Sequence, residues 1–314
     1  MSKQKLTTSK GVVLPSRYEK LRGVRDTAFN PLPLAKLRHL WVGEVGEGKT
    51  SGVCSIPKCA VLDFEHKTSG VLRLAPGSLI VGNGDSGEAP WTLKEYWDFI
   101  TMLIEDGKAG RAPFDTVAFD TLGGLCQLVM QEFTDANNMR DDEKPWRDFS
   151  QYGADGAGYG RMNSWIIAKF VALANAGYGI VVTAHKLVKH IEDSDGNQSQ
   201  IVKVDGNPGV VAALDRMCEF SGTLSRCRRV RSVKKEITVQ GKTKIKTNLE
   251  EEWVHILDLN TRPDPGSGPR ATTRQHVPLP DGEIVHEEGF LWDAMETAYD
   301  TACENRRTAI ESMK

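Results

Sequence analysis

No stretch of the 314 residues is long enough and apolar enough without interruption to predict a membrane span. The most apolar long window, Trp165–Ala184, is broken by Lys169, Asn175 and two glycines. The first ten residues are polar and lysine-bearing and lack the apolar segment of a secretory signal, so the expectation is a cytoplasmic protein without a membrane partner. Cysteine is sparse: Cys54, Cys59, Cys126, Cys218, Cys227 and Cys303 contain no C-x-x-C pair, which predicts reduced thiols rather than a disulfide framework. A zinc site built from Cys54, Cys59, Cys218 and Cys227 is conceivable, but the spacings fit no common ligand pattern. An excess of one charge is missing too. The formal net charge of −2 excludes a wholly basic nucleic-acid coat and confines any binding to phosphate backbones to local patches. Neither an internal repeat nor a low-complexity tract is present.

Against these absences stands one specific pattern. Gly43-Glu44-Val45-Gly46-Glu47-Gly48-Lys49-Thr50 fits G-x-x-x-x-G-K-[ST] and follows the apolar run Leu40-Trp41-Val42. A loop wrapped around phosphates must point successive backbone N–H groups inward, and glycines permit that path. Lys49 then sets a positive charge at the β- and γ-phosphates, the Thr50 hydroxyl ligates Mg²⁺, and Ser51 continues into the helix whose positive end faces the nucleotide. The chain is thus expected to bind ATP with Mg²⁺ through residues 43–51.

Along the chain, residues 1–30 hold seven Lys/Arg against Glu19 and Asp26, the composition of a basic arm. Pro31 and Pro33 mark a loop before the first core strand. Cys59–Glu65 reads as a second strand with Asp63 and Glu65 on one side. Residues 92–106 have helical periodicity, Phe114–Asp120 reads as a third buried strand, and Leu122–Phe133 as a helix. Asp135–Gly160 reads as a long Gly-rich loop, Met162–Asn175 as a helix, Gly179–Ala184 as a fourth strand, and Lys186–Pro208 as another long polar segment. Apolar, non-alternating strands between helices predict an α/β fold whose mostly parallel sheet is covered on both faces. The last third predicts an antiparallel extension of the same sheet: strands at Phe220–Val239, Lys242–Thr247 and Trp253–Thr261, the last two separated by an acidic turn. A closing helix from about Glu288 would place Phe290, Leu291, Met295 and Tyr299 on one side. The expected division is an arm over 1–30, an ATPase domain over 31–290 with a basic β extension at about 220–262, and a C-terminal helix over 291–314.

Phe114–Asp120 delivers an aspartate at the carboxyl edge of the sheet, where open α/β sheets bind ligands. Asp120 is expected to hold Mg²⁺ through its water shell, its alternative being a cap on the following helix. The residue after it is Thr121, so a general base must come from elsewhere. Glu65, at the end of a strand expected beside that of the phosphate loop, is the candidate. His185 ends the fourth strand at the same edge, where a polar side chain can sense the γ-phosphate.

The order of these parts, with Leu62-Asp63-Phe64-Glu65-His66 and Val117-Ala118-Phe119-Asp120-Thr121, resembles the RecA-type recombinase core. Ser55-Ile56-Pro57-Lys58, Thr183-Ala184-His185 and Asn260-Thr261-Arg262-Pro263 further resemble the phage-encoded RecA-like P-loop ATPases, an AAA-domain family associated with single-strand annealing and recombination. The resemblance covers about residues 35–290. It implies a RecA-like P-loop NTPase core, catalytic and switch roles for Glu65 and His185, and a bacterial host cytoplasm as the location. The polymerisation helix of RecA itself has no counterpart in this sequence.

That resemblance places the segments 141–161 and 186–207 beside single-stranded DNA. The first offers Trp146, Phe149, Tyr152 and Tyr159 for stacking and Lys144, Arg147 and Arg161 for phosphates. Arg226–Lys246 adds nine Lys/Arg against Glu236, either a basic ridge for phosphates or a solvated hairpin balanced by Glu250–Glu252. Arg262 or Arg270 would reach a neighbouring protomer's γ-phosphate, coupling hydrolysis to assembly. The expected function is a DNA-stimulated ATPase that binds single-stranded DNA, acts in annealing or recombination as a homo-oligomer, and works with a single-strand-binding protein. Two alternatives share the core: a helicase-class motor or loader, and a nucleotide-gated binding module with negligible hydrolysis.

Overall fold

The computed structural model describes residues 31–68, 71, 73–82, 89–139, 149–151, 157–192, 198–239, 242–259 and 282–312. Strands β1 (Arg38–Gly43), β2 (Cys59–Asp63), β3 (Leu79–Val81), β4 (Thr116–Asp120), β5 (Gly179–Glu192), β6 (Gln198–Val204), β7 (Phe220–Val239), β8 (Lys242–Asp258) and β9 (Glu283–His286) join in one sheet. The order is β3-β2-β4-β5-β1-β7-β8-β9, with β6 paired to β5. From β3 through β7 every neighbour is parallel; β7–β8, β8–β9 and β5–β6 are antiparallel. This is the expected α/β class: a mostly parallel sheet flanked by helices, with an antiparallel C-terminal extension. Every residue of β2 and β4 is buried, as apolar strands covered on both faces must be.

Helices α2 (Leu93–Lys108), α3 (Leu122–Asn138), α4 (Ala157–Asn175) and α5 (Pro208–Met217) supply one apolar core, around Phe119, Tyr96 and Phe170. The other core holds the short α1 (Lys49–Cys54) and the C-terminal α6 (Leu291–Ser312), around Trp41 and Trp292. Both tryptophans are fully buried, and burial of an apolar side chain contributes ~1.5–3 kcal/mol. The α2 start is set locally: Thr92 accepts from the Glu95 amide while Glu95 returns a carboxylate to the Thr92 amide. The α6 start is tied to the helix behind the phosphate loop, because the Trp292 amide donates to Ser55 Oγ at 3.1 Å.

Several expectations change. β2 lies beside β3 and β4, not beside β1; β4 and β5 stand between it and the phosphate loop's strand. It stops at Asp63, so Glu65 sits in the following bend rather than on a strand face with Asp63. The segment after His185 is no loop: β5 runs on to Glu192 and turns back as β6. The second and third C-terminal strands are one, with Glu250–Glu252 inside β8 opposite Arg229–Arg231, and no acidic turn divides them. α3 continues to Asn138 and α4 begins at Ala157, shortening the Gly-rich loop from both ends. Phe290 precedes α6 and is exposed, whereas Trp292 joins the buried face. Among the described residues, no helix is long and apolar enough to cross a membrane, and no three His, Cys, Asp or Glu side chains group as a metal site. All six cysteines are free thiols, and burial pushes Cys54 up to about 12.

Candidate nucleotide site

Gly43 ends β1 and Lys49 begins α1, so the phosphate-loop motif forms the turn between them. Gly46 and Gly48 have φ of 86° and 87°, a backbone region closed to most side chains; Gly48 is a fixed glycine of the motif, and Gly46 fills one of its variable positions. Glu44, Val45 and Gly46 face solvent; Glu47, Thr50 and Ser51 are half-buried. The Glu47 carboxylate accepts from the Glu44 amide and fastens the loop upon itself. Lys49 is only 5 % exposed. Its Nζ donates to the Gly43 and Glu44 carbonyls at 2.9 and 2.6 Å. Burial pulls its pKa down, partly opposed by the charges of Asp120, Glu47 and Glu65. Its ammonium therefore lies inside the loop.

Asp120 ends β4 two strands from the loop, yet Thr50 Oγ1 donates to its Oδ2 at 2.7 Å. Thr183, on the intervening β5, donates to Oδ1. Burial raises the Asp120 pKa, the Thr183 and Thr50 hydrogen bonds oppose that, and the nearby Asp63 and Glu65 charges push it further up. A buried carboxylate crowded by two acids is stabilised by a cation, and a hydroxyl next to a carboxylate is an oxygen donor set suited to Mg²⁺. The residues present fit that ion: Thr50 and Asp120 would hold it.

Glu65 lies in the bend after β2. Its Oε1 accepts from Thr121 Oγ1 and stands 2.8 Å from His185 Nε2, and its Oε2 accepts from Lys67 Nζ at 3.0 Å. Burial alone would raise its pKa, but the Thr121 and Lys67 hydrogen bonds and the His185 and Lys67 charges outweigh it and hold the carboxyl below its usual range. A cavity of about 600 Å³ opens beside this group, with Gln127, Gln131 and Asp205 also on its wall. Asp63, the other acid of the pair, faces its own loop. Its Oδ1 accepts from the Glu65 and His66 amides, and its Oδ2 from the Thr68 amide and hydroxyl.

Lys49, Thr50, Asp120, Glu65 and His185 are thus brought to one edge of the sheet. Arg262, Arg270, Lys144, Trp146, Arg147 and Tyr152 lie outside the described residues. Phe149 is buried in the core and Tyr159 packs edge-on against it at 5.0 Å, so these two aromatics are core residues rather than stacking platforms. Thr183 and Thr121 are partners of the two carboxylates that the sequence pattern does not disclose. The only signal was that Thr121 occupies the position directly after Asp120.

No curated protein matches the sequence. Among solved structures, the KaiC-like protein PH0186 from the hyperthermophilic archaeon Pyrococcus horikoshii OT3 is similar at 10% identity and a TM-score of 0.33, covering 81% of this chain and 91% of its own. The RadB recombinase is similar at 12% identity and 0.33, covering 80% and 86%. The family described as AAA domain matches residues 35–246, a span that holds the phosphate loop, Glu65, Asp120 and His185. With more than half of its length so matched, the chain belongs to the AAA-domain family of P-loop proteins.

Proposed function

We propose that the protein is a RecA-like ATPase that binds single-stranded DNA and supports annealing or recombination as a homo-oligomer. The observation that carries the hydrolytic part is Glu65: a carboxylate held ionised by Thr121, Lys67 and His185 at the same sheet edge as Thr50 and Asp120. Such a group can take a proton from a water attacking the terminal phosphate. Lys49, confined within the loop, lends positive charge to the β- and γ-phosphate oxygens. Magnesium, when bound at Thr50 and Asp120, neutralises charge on the same oxygens. His185 holds Glu65 from β5, whose continuation forms the β5–β6 hairpin, so any movement of Glu65 is felt by that hairpin.

The DNA part is supported by the β7–β8 hairpin. Its strands pair from Thr223↔Asp258 to Val239↔Lys242, whereas β7 meets β1 only at His39–Val42. Most of this two-stranded arm therefore projects past the sheet. At its root Arg226 lies over the ring of Trp253, 4.8 Å from its centroid, and Trp253 is 60% exposed. An exposed aromatic ring beside a guanidinium offers stacking and charge to an unpaired base and its phosphate. The reading rests on the root of the arm, where Arg226 and Trp253 meet.

Steady-state ATP hydrolysis with and without single-stranded DNA tests the reading. Turnover is expected to rise with DNA, and DNA affinity to fall with salt. Arg226→Ala with Arg228→Ala should flatten the salt slope by about one for each phosphate contact removed. Turnover indifferent to DNA, or affinity unchanged by salt, would sink the DNA part and leave an ATPase without it; negligible turnover under both conditions would favour the nucleotide-gated module.

The acid limb of the rate follows from Glu65. Its folded-state pKa is depressed, so its stabilising interactions are complete above the unfolded glutamate value of about 4.3 and are lost as pH falls through the lower folded value. Through Glu65, turnover should therefore hold to a lower pH than a glutamate at its ordinary value would sustain. Removing one partner with Lys67→Ala should move that limb upward; a limb unmoved by this change would detach Lys67 from the base.

A further inference from the structure

Two buried histidines stand beside the phosphate loop, outside the span matched by the AAA-domain family. His255 on β8 and His286 on β9 are register partners, so their side chains share one face of the sheet; the ring centroids lie 5.6 Å apart. His255 is 3% exposed, and its Nδ1 has no hydrogen-bond partner among the described residues. That nitrogen sits 3.1 Å from where a Cβ on Gly48 would lie, directly against the loop. The other nitrogen, Nε2, is 4.0 Å from a Glu288 carboxylate oxygen. His286 Nδ1 donates to the Glu287 carbonyl, 2.8 Å away, while its Nε2 is unpartnered among the described residues. An unpaired buried ring nitrogen is costly, and here two stand on adjacent rings.

The β4 and β5 side of β1 holds the carboxylates and hydroxyls suited to the metal and terminal phosphate: Asp120, Thr50, Glu65 and His185. A nucleotide anchored in the loop by its phosphates must lead its sugar and base to the other flank, where β7, β8 and β9 lie. We propose that His255 binds the nucleoside portion of the nucleotide through Nδ1, with His286 and Glu288 orienting its ring. The assignment rests on nucleotide binding by the loop.

Binding of ATP, ADP and inorganic tripolyphosphate to the full chain separates the possibilities. His255→Phe is expected to weaken ATP and ADP about tenfold, the size of one lost hydrogen bond, and to leave tripolyphosphate unchanged. His255→Asn, which keeps a polar atom near the Nδ1 position, should recover most of the loss. Equal loss of ATP and tripolyphosphate would make His255 a support of the loop alone and overturn the assignment, as would unchanged ATP binding. Ring-nitrogen NMR of the wild-type chain needs no altered core: the His255 Nδ1 resonance should move with ADP and not with tripolyphosphate, and movement with both or neither overturns the assignment. Wild type that binds tripolyphosphate and ATP alike, with His255 silent, leaves the ATPase reading standing; wild type that binds neither removes both.

Discussion

Glu65→Gln lowers ATP turnover by about 10²–10⁴-fold while nucleotide affinity stays within a few-fold of wild type. The substitution keeps shape and one carbonyl oxygen, which can still accept from Thr121 or face His185. It removes the charge and the capacity to take a proton. The Lys49 ammonium is held by the Gly43 and Glu44 carbonyls rather than by Glu65, whose charge is only one of several acting on it, so the phosphate-binding end keeps its hydrogen bonds. Lys49→Ala is the converse change: it removes the charge inside the loop, and ATP affinity is lost along with turnover. Equilibrium nucleotide binding and single-turnover hydrolysis, measured on both variants, separate the two roles. Glu65→Gln turning over within threefold of wild type would show that this carboxylate is a structural partner of His185 and favour a nucleotide switch with little hydrolysis.

The legible parts of this site are those dictated by local backbone chemistry. The Gly43–Thr50 turn needs glycines at positive φ, and the buried strands leading to Gly43 and Asp120 need unbroken apolar runs, so each writes itself into contiguous residues. What escaped is non-local. Thr183 reaches Asp120 because β5 lies between β1 and β4, an order that the strand sequences do not disclose. The same order corrects the placement of Glu65, which meets the site from beyond β4 rather than from beside the loop's strand. β3 is three residues long at the sheet edge, with too little pattern to stand out. The run Glu250–Glu252 imitates a turn because strands rarely carry three acids in succession, but its register opposite Arg229–Arg231 lets it continue as β8. His255 lay hidden for a related reason: its proximity to Gly48 depends on β8 folding back alongside β7, about two hundred residues after the loop.

Asp63 does more than alternate with Glu65: its hydrogen bonds to the following bend yield the second large effect. Asp63→Ala is expected to destabilise the fold by about 3–5 kcal/mol, because it removes one carboxylate that accepts four hydrogen bonds in a buried bend. The amides of Glu65, His66 and Thr68 would lose their acceptor together. His66 has φ of 56°, a conformation that a non-glycine residue holds only when its surroundings enforce it. Those same amides set where the Glu65 side chain leaves the backbone, so turnover should fall even under conditions where the variant remains folded. Asp63→Asn, which retains one acceptor oxygen for two of the four donors, should cost less in stability and recover part of the turnover. Urea unfolding paired with hydrolysis assays on both variants is the measurement. Stability within about 1 kcal/mol of wild type for Asp63→Ala, a loss no larger than one ordinary hydrogen bond, would mean that the bend is held by other contacts. In that case the position of Glu65 would have to be explained by Thr121, Lys67 and His185 alone, three side chains that reach it from separate elements and hold its oxygens but not its backbone.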